Sequence, residues 1–128
     1  MAAAIPSVSA TFISSADLSS SAYRVVYISG AGTVTFAPSK TALASRPSGI
    51  LTDEVGSASG DAVTVQLGGI AKVEAGDAIA AGNSLTVDTS GRVVNTTTAG
   101  NYTIGVATEA ASGTGEIISC IILPSLIN

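Results

Sequence analysis

The chain has 128 residues, a net charge of −4 and only 11% charged residues, while Ala, Ser, Thr and Gly fill 67 positions. With no His, no Trp and one Cys, it lacks the parts for a His-based relay, a Cys/His zinc site or an internal disulfide. Five Lys and Arg in an acidic chain cannot furnish the phosphate-neutralising stripe of a nucleic-acid binder, so no nucleic acid is expected as a partner.

An apolar content of 46% is too high for disorder at this low charge, so one folded domain is expected. Residues 1–10 are small and apolar without alternation and read as an extended N-terminal arm, with 11–128 as a single β-domain. No basic segment and long apolar run open the chain, so no signal peptide is expected. Ile5, Val8, Phe12 and Ile13 are too apolar for a free tail: they either cover their own barrel or reach a neighbouring chain.

Strands are expected at Ala10–Ser14 and Tyr23–Ile28. Val34 and Phe36 then alternate with Thr33 and Thr35, and Ser39–Leu43 could form one helical turn after Pro38. Val63, Val65 and Leu67 alternate with polar neighbours, as do Ala71, Val73 and Ala75. Gly68-Gly69 between those two runs has the spacing of a two-residue hairpin. Leu85–Asp88 and Arg92–Asn95 flank a second hairpin at Asp88-Thr89-Ser90-Gly91, and Tyr102–Ala107 alternates again. From Asp61 onward the pattern is a meander of short strands. The fold class is therefore all-β: a small β-barrel or β-sandwich of short, mostly antiparallel strands.

The last run, Glu116–Leu123, breaks the alternation, with Ile117, Ile121 and Leu123 on one face and Ile118, Cys120 and Ile122 on the other. Such a strand lies centrally in a two-layer core or presses on another subunit. Cys120 within it reads as a small buried hydrophobe. The apolar stretch to Ile127 contains Pro124 and falls well short of the ~20 residues a membrane helix needs, so no membrane partner is expected.

Chemistry is sparse along the chain. Carboxylates cluster at turns (Asp53-Glu54, Asp61, Asp77, Asp88), where geometry and solubility explain them. Asp88-Thr89-Ser90-Gly91 lacks the spaced ligands of a calcium loop. Lys40 and Lys72 are the only amine bases for a Ser or Thr nucleophile. No catalytic residue, metal site or cofactor is expected.

The segment Val73-Glu74-Ala75-Gly76-Asp77-Ala78-Ile79-Ala80-Ala81-Gly82-Asn83-Ser84-Leu85 resembles the first hairpin of biotinyl and lipoyl carrier domains. That resemblance implies a modified Lys at a hairpin tip, but the matching tip, Asp88–Arg92, has none. A wider resemblance runs through Tyr23-Arg24-Val25-Val26-Tyr27, Gly49-Ile50-Leu51-Thr52, Val63–Val73, Asp77–Leu85, Gly91-Arg92-Val93-Val94, Tyr102–Ala107 and Gly115-Glu116-Ile117-Ile118. In order and spacing these segments resemble the small capsid decoration, or cement, proteins of tailed phages.

The second resemblance implies a non-enzymatic structural protein on the outer surface of the virion capsid, synthesised in the bacterial host cytoplasm. Its implied partners are the major capsid protein and further copies of itself, as a homotrimer at threefold positions. Ile5, Val8, Phe12, Ile13, Ile117, Ile121 and Leu123 are the candidate subunit contacts. Another β-rich virion component, a tail or fibre part, is the alternative beside a carrier barrel without its lysine.

Overall fold

The computed structural model describes residues 5–53 and 58–128, with side chains of the first strand described from Val8. Nine strands lie among them: β1 (Ile5–Ser14), β2 (Val25–Gly30), β3 (Thr33–Thr35), β4 (Gly49–Leu51), β5 (Ala62–Glu74), β6 (Ser84–Val87), β7 (Val93–Asn95), β8 (Tyr102–Ala107) and β9 (Ile117–Leu126). A 3-10 turn at Leu43–Ser45 stands just beyond the helical turn expected at Ser39–Leu43.

The strands run in the order β1-β3-β2-β4-β5-β9-β8-β6-β7, and β1 also pairs with β5. That extra pairing closes the first five strands into a barrel, through eight residue pairs from Ile5–Ile70 to Ile13–Ala62. Only β1–β3 among the strand pairings is parallel. The other four strands continue from the far part of β5 and curl until Val93 of β7 forms a parallel bridge to Ala75, one residue past β5. The expected barrel is present, and β5 is shared between it and a second, bridge-closed ring.

Each ring encloses its own core. Leu18, Val26, Val34, Leu51, Val63 and Val65 fill the first, with Phe12 and Leu67 packed against them. Fifteen buried residues fill the second, among them Val73, Leu85, Ile104, Ile118 and Cys120. The partition between the cores is β2 and β4. Successive strand residues point to opposite faces, so Val26 and Leu51 enter the first core while Val25 and Ile50 enter the second.

The Gly68-Gly69 hairpin expected from sequence does not form. Both glycines lie inside the 13-residue β5, and the two runs around them are one strand. Val65 pairs with Leu51 of the first core, so its neighbour Gln66, paired with Ile50, faces the second. Five residues on, Ala71 also lies in the second core, where strict alternation from Gln66 would put it on the opposite face. The strand therefore exchanges faces between them, at Gly69, whose φ of +83° is open to glycine at little cost. The buried Gln66 amide donates to the Gly68 and Ile70 carbonyls at 3.0 and 2.9 Å, replacing ladder bonds lost at the irregularity. An antiparallel β1, itself shifted in register around Val8, follows the kink.

The meander expected after Asp61 is also corrected. The partner of β5 is β9, from the end of the chain, and β6 lies between β7 and β8. The second ring needs β9 to cover the edge of β5 that β1 and β4 leave free. The hairpin at Asp88–Gly91 forms as expected, with Val87 paired to Val93. The Asp88 carboxylate accepts the Ser90 and Arg92 N–H groups and holds that turn.

Candidate interaction surfaces

Three residues tie the two rings together at their seam. Glu74, the last residue of β5, receives Arg24 Nε at 3.4 Å on one oxygen and Arg92 Nε at 2.7 Å on the other. Arg24 precedes β2 of the barrel, and Arg92 precedes β7 of the second ring. Beside them the Val25 N–H donates to the Gly91 carbonyl at 2.8 Å. The β6–β7 tip is thereby docked on the barrel, whereas a carrier domain presents its tip for modification.

The candidate contact residues fall into three groups. Val8 (52% exposed), Ile13, Ile121 and Leu123 (54%) lie on the surface. Phe12 packs half-buried on the barrel's own core, and Ile117 is half-buried. The backbone of Ile5 pairs with Ile70, while its side chain lies outside those described. Ile118, Cys120 and Ile122 enter the second core, so only one face of β9 is buried within the chain.

The pairing brings the two candidate segments together. Ile70 of β5 pairs with Ile5 on one side and with Ile121 of β9 on the other, and Ile121 pairs with Val106 of β8. Directly opposed residues share a face, so Ile70, Ile121 and Val106 form an outward apolar row that ends beside the start of β1. Further exposed apolar side chains, Ile28, Phe36, Leu43 and Leu126, escaped the sequence reading. Phe36 and Leu126 lie just past or at the end of a strand and Leu43 in the 3-10 turn, where alternation no longer reports burial, while Ile28 lies within β2.

The titratable groups give this surface little reactivity. Burial pushes the Cys120 thiol up to about 12, so the thiolate needed for nucleophilic attack is scarce at neutral pH. The Ser19 N–H, donating at 2.9 Å, holds the Asp17 carboxyl below its usual range. The Ser112 hydroxyl and N–H, at 2.6 and 2.8 Å, do the same for Glu116. Among the described residues no three Cys, Asp or Glu side chains gather closely enough to hold a metal ion.

Two open clefts flank the docked β6–β7 tip. One is lined by Asp17, Ser20, Ser21, Arg24, Phe36, Thr89 and Ser90. The other runs along residues 37–41 on one side and Val87, Asp88 and Thr89 on the other. They share Thr89.

Residues 24–122 match the family model described as phage cement protein. No curated protein matches the chain. Among solved structures, the fold is similar to the crystal structure of the N base of head fiber gp8.5 in bacteriophage phi29. The TM-score is 0.66 at 24% identity, over 94% of this chain and 98% of that one.

Proposed function

The chain belongs to the phage cement protein family, and from that membership we propose that it binds the outside of the mature capsid and stabilises the head without catalysing a reaction. The observation that supports this reading most is the outward apolar row of Ile70, Ile121 and Val106, together with the exposed Val8 on β1 and Leu123 on β9. Its proposed partners are the major capsid protein and two further copies of the chain at threefold positions. Heterologous contacts between copies close into a ring at such an axis. Subunits that bind only the mature shell stabilise it by mass action.

The wealth of small residues suits such a role. Ala and Gly lose almost no side-chain entropy when immobilised, against up to ~2 kcal/mol for Lys or Glu. A second reading, the base of a fibre projecting from the particle, is favoured by the fold shared with the head fiber N base.

Purified chain added to undecorated heads separates these readings. Co-sedimentation with the heads and a raised melting temperature of the particle are expected, together with a trimer in size-exclusion chromatography with light scattering. Leu123→Asp should weaken capsid binding while leaving the chain folded. Absence of the chain from mature particles by mass spectrometry would overturn the proposal. A particle whose density continues outward from the chain into a fibre would favour the second reading.

A further inference from the structure

Phe36 is the one aromatic side chain in the exposed class among the described residues; Phe12 and the three Tyr are all at least partly covered. At 47% exposure it belongs to neither core, because β3 ends at Thr35 and the left-handed Ala37 (φ +60°) turns the chain away behind it. It stands in a cleft whose remaining lining is polar: Asp17, Arg24, Ser20, Thr89 and Ser90 are among its walls.

The hydrogen-bonding capacity of that cleft is not used up within the chain. Arg24 spends its Nε on Glu74. Among the described residues no acceptor is bonded to its two terminal amino groups. Asp17 bonds Ser19 through one oxygen. The neighbouring hydroxyls are those of an exposed Ser20, an exposed Thr89 and a half-buried Ser90.

The walls are also held in place. Tyr23, immediately before Arg24, has a left-handed φ of +62°, and Tyr23 and Ala37 are the two non-glycine residues with positive φ among those described. Each borders a residue of this cleft. Non-glycine residues in that conformation cost energy and persist where their surroundings over-determine them. The Tyr23 N–H bonds the Leu51 carbonyl and its own carbonyl accepts from Glu74, which provides that constraint.

We propose that this cleft is a binding site for a neutral saccharide. An exposed ring offers its face to the C–H groups of a sugar. A carboxylate and a guanidinium with bonds to spare address vicinal hydroxyls, and short hydroxyl side chains complete the polar rim. Charge selects against anionic sugars: Arg24 is already balanced by Glu74, and Asp17 adds a negative charge. The site rests on the Phe36 cleft alone, on residues apart from the row assigned to the capsid, and stands or falls independently of capsid binding.

The test is a titration of the isotope-labelled intact chain with maltotriose and, separately, with N,N′-diacetylchitobiose, followed by amide chemical shifts. Saturable shifts confined to residues 17–24, 36–41 and 88–91 are expected for at least one of them. Phe36→Ala should weaken that binding about tenfold or more, on the scale of a lost aromatic contact, while Phe36→Tyr retains it. The half-exposed Phe36 contributes to neither core, so the alanine variant should keep its melting temperature, which a parallel melt checks. Shifts by neither sugar at millimolar concentration would overturn the proposal. So would shifts mapping elsewhere, binding indifferent to Phe36→Ala, or binding confined to sulfated or sialylated sugars in a parallel array.

Discussion

The two rings of this molecule solve closure in opposite ways. The first barrel has a core of six fully buried side chains but is sealed by eight β1–β5 residue pairs. The second has fifteen buried core residues and is closed by one bridge, Ala75–Val93. A small core thus coincides with a long hydrogen-bonded seal, and a large core with a minimal one. Hydrophobic burial dominates folding free energy while each hydrogen bond adds only a modest net amount, so the second ring can close with few hydrogen bonds.

Emptying each core in turn should have the largest effect. Ile104→Ala in the second core and Leu18→Ala in the first remove completely buried side chains and should each cost about 2–5 kcal/mol. Val25 and Ile50 line the second core from strands of the first, and β5 runs through both rings, so the second core is incomplete without the barrel. Urea unfolding followed by circular dichroism should therefore show one transition for both variants, with unchanged slope. Two resolved transitions in Ile104→Ala would mean that the barrel stands without its neighbour.

A smaller effect is expected at the close approach of β8 and β9. A Cβ at Gly105 would collide with the Ile121 carbonyl oxygen, where β9 carries an extra residue between its pairings with Gly105 and Thr103. The obstacle is backbone, so Gly105→Ala should separate the strands and cost about 1–3 kcal/mol. Amide exchange should then quicken throughout β8 and β9 and remain slow in β1. Equal loss of protection in β1 would show that the long seal of the barrel depends on the second ring.

Period two was enough to read the two halves of β5, and β6 and β8, because alternating Val, Leu and Ala with polar residues leaves few alternatives to a strand. It misread Gly68-Gly69, since a hairpin and a face-exchanging irregularity both call on a glycine with positive φ. The difference lies in Gln66, whose amide bonds two carbonyls of the same strand, and a single sequence does not show that contact. The adjacent apolar pairs Val25-Val26 and Ile50-Leu51 did carry a trace of the partition between cores. In strands of six and three residues that trace is short, and it becomes meaningful only when two cores are known. The candidate contacts at Val8, Ile121 and Leu123 were visible as breaks in alternation. Phe36 was not, because its exposure depends on where β3 stops.

The seam offers a weaker perturbation. Glu74→Gln removes the charge that Arg24 and Arg92 share while keeping size and an acceptor oxygen. These side chains keep 17–29% of their surface in solvent, so screening holds the loss to about 1 kcal/mol. A double-mutant cycle between Glu74→Gln and Arg92→Gln should give a coupling that shrinks from low to high salt. A coupling indifferent to salt would assign the seam to packing and to the Val25–Gly91 backbone bond.

The faintest expected effect sits on the single bridge itself. The turn at residues 112–116 clasps the closing residue: Ala75 donates to the Glu116 carbonyl, and Gly115 donates to the Ala75 carbonyl. Donation from the Ser112 hydroxyl and N–H favours the ionised Glu116 side chain and lowers its pKa from 4.5. A carboxyl whose folded pKa is depressed contributes stability above its unfolded value and loses it as pH falls through the folded one. The melting temperature of Glu116→Gln should therefore lie slightly below that of the unsubstituted chain at pH 7. The gap should close as acidification below 4.5 protonates Glu116. Asp17→Asn provides the matching measurement beside the barrel, where hydrogen bonds from Ser19 lower the carboxyl pKa, so its gap should close in acid in the same direction. Because both carboxyls are exposed, high salt should narrow both gaps. A Glu116→Gln gap that widens in acid would show that the minimal seal of the second ring does not depend on this charge.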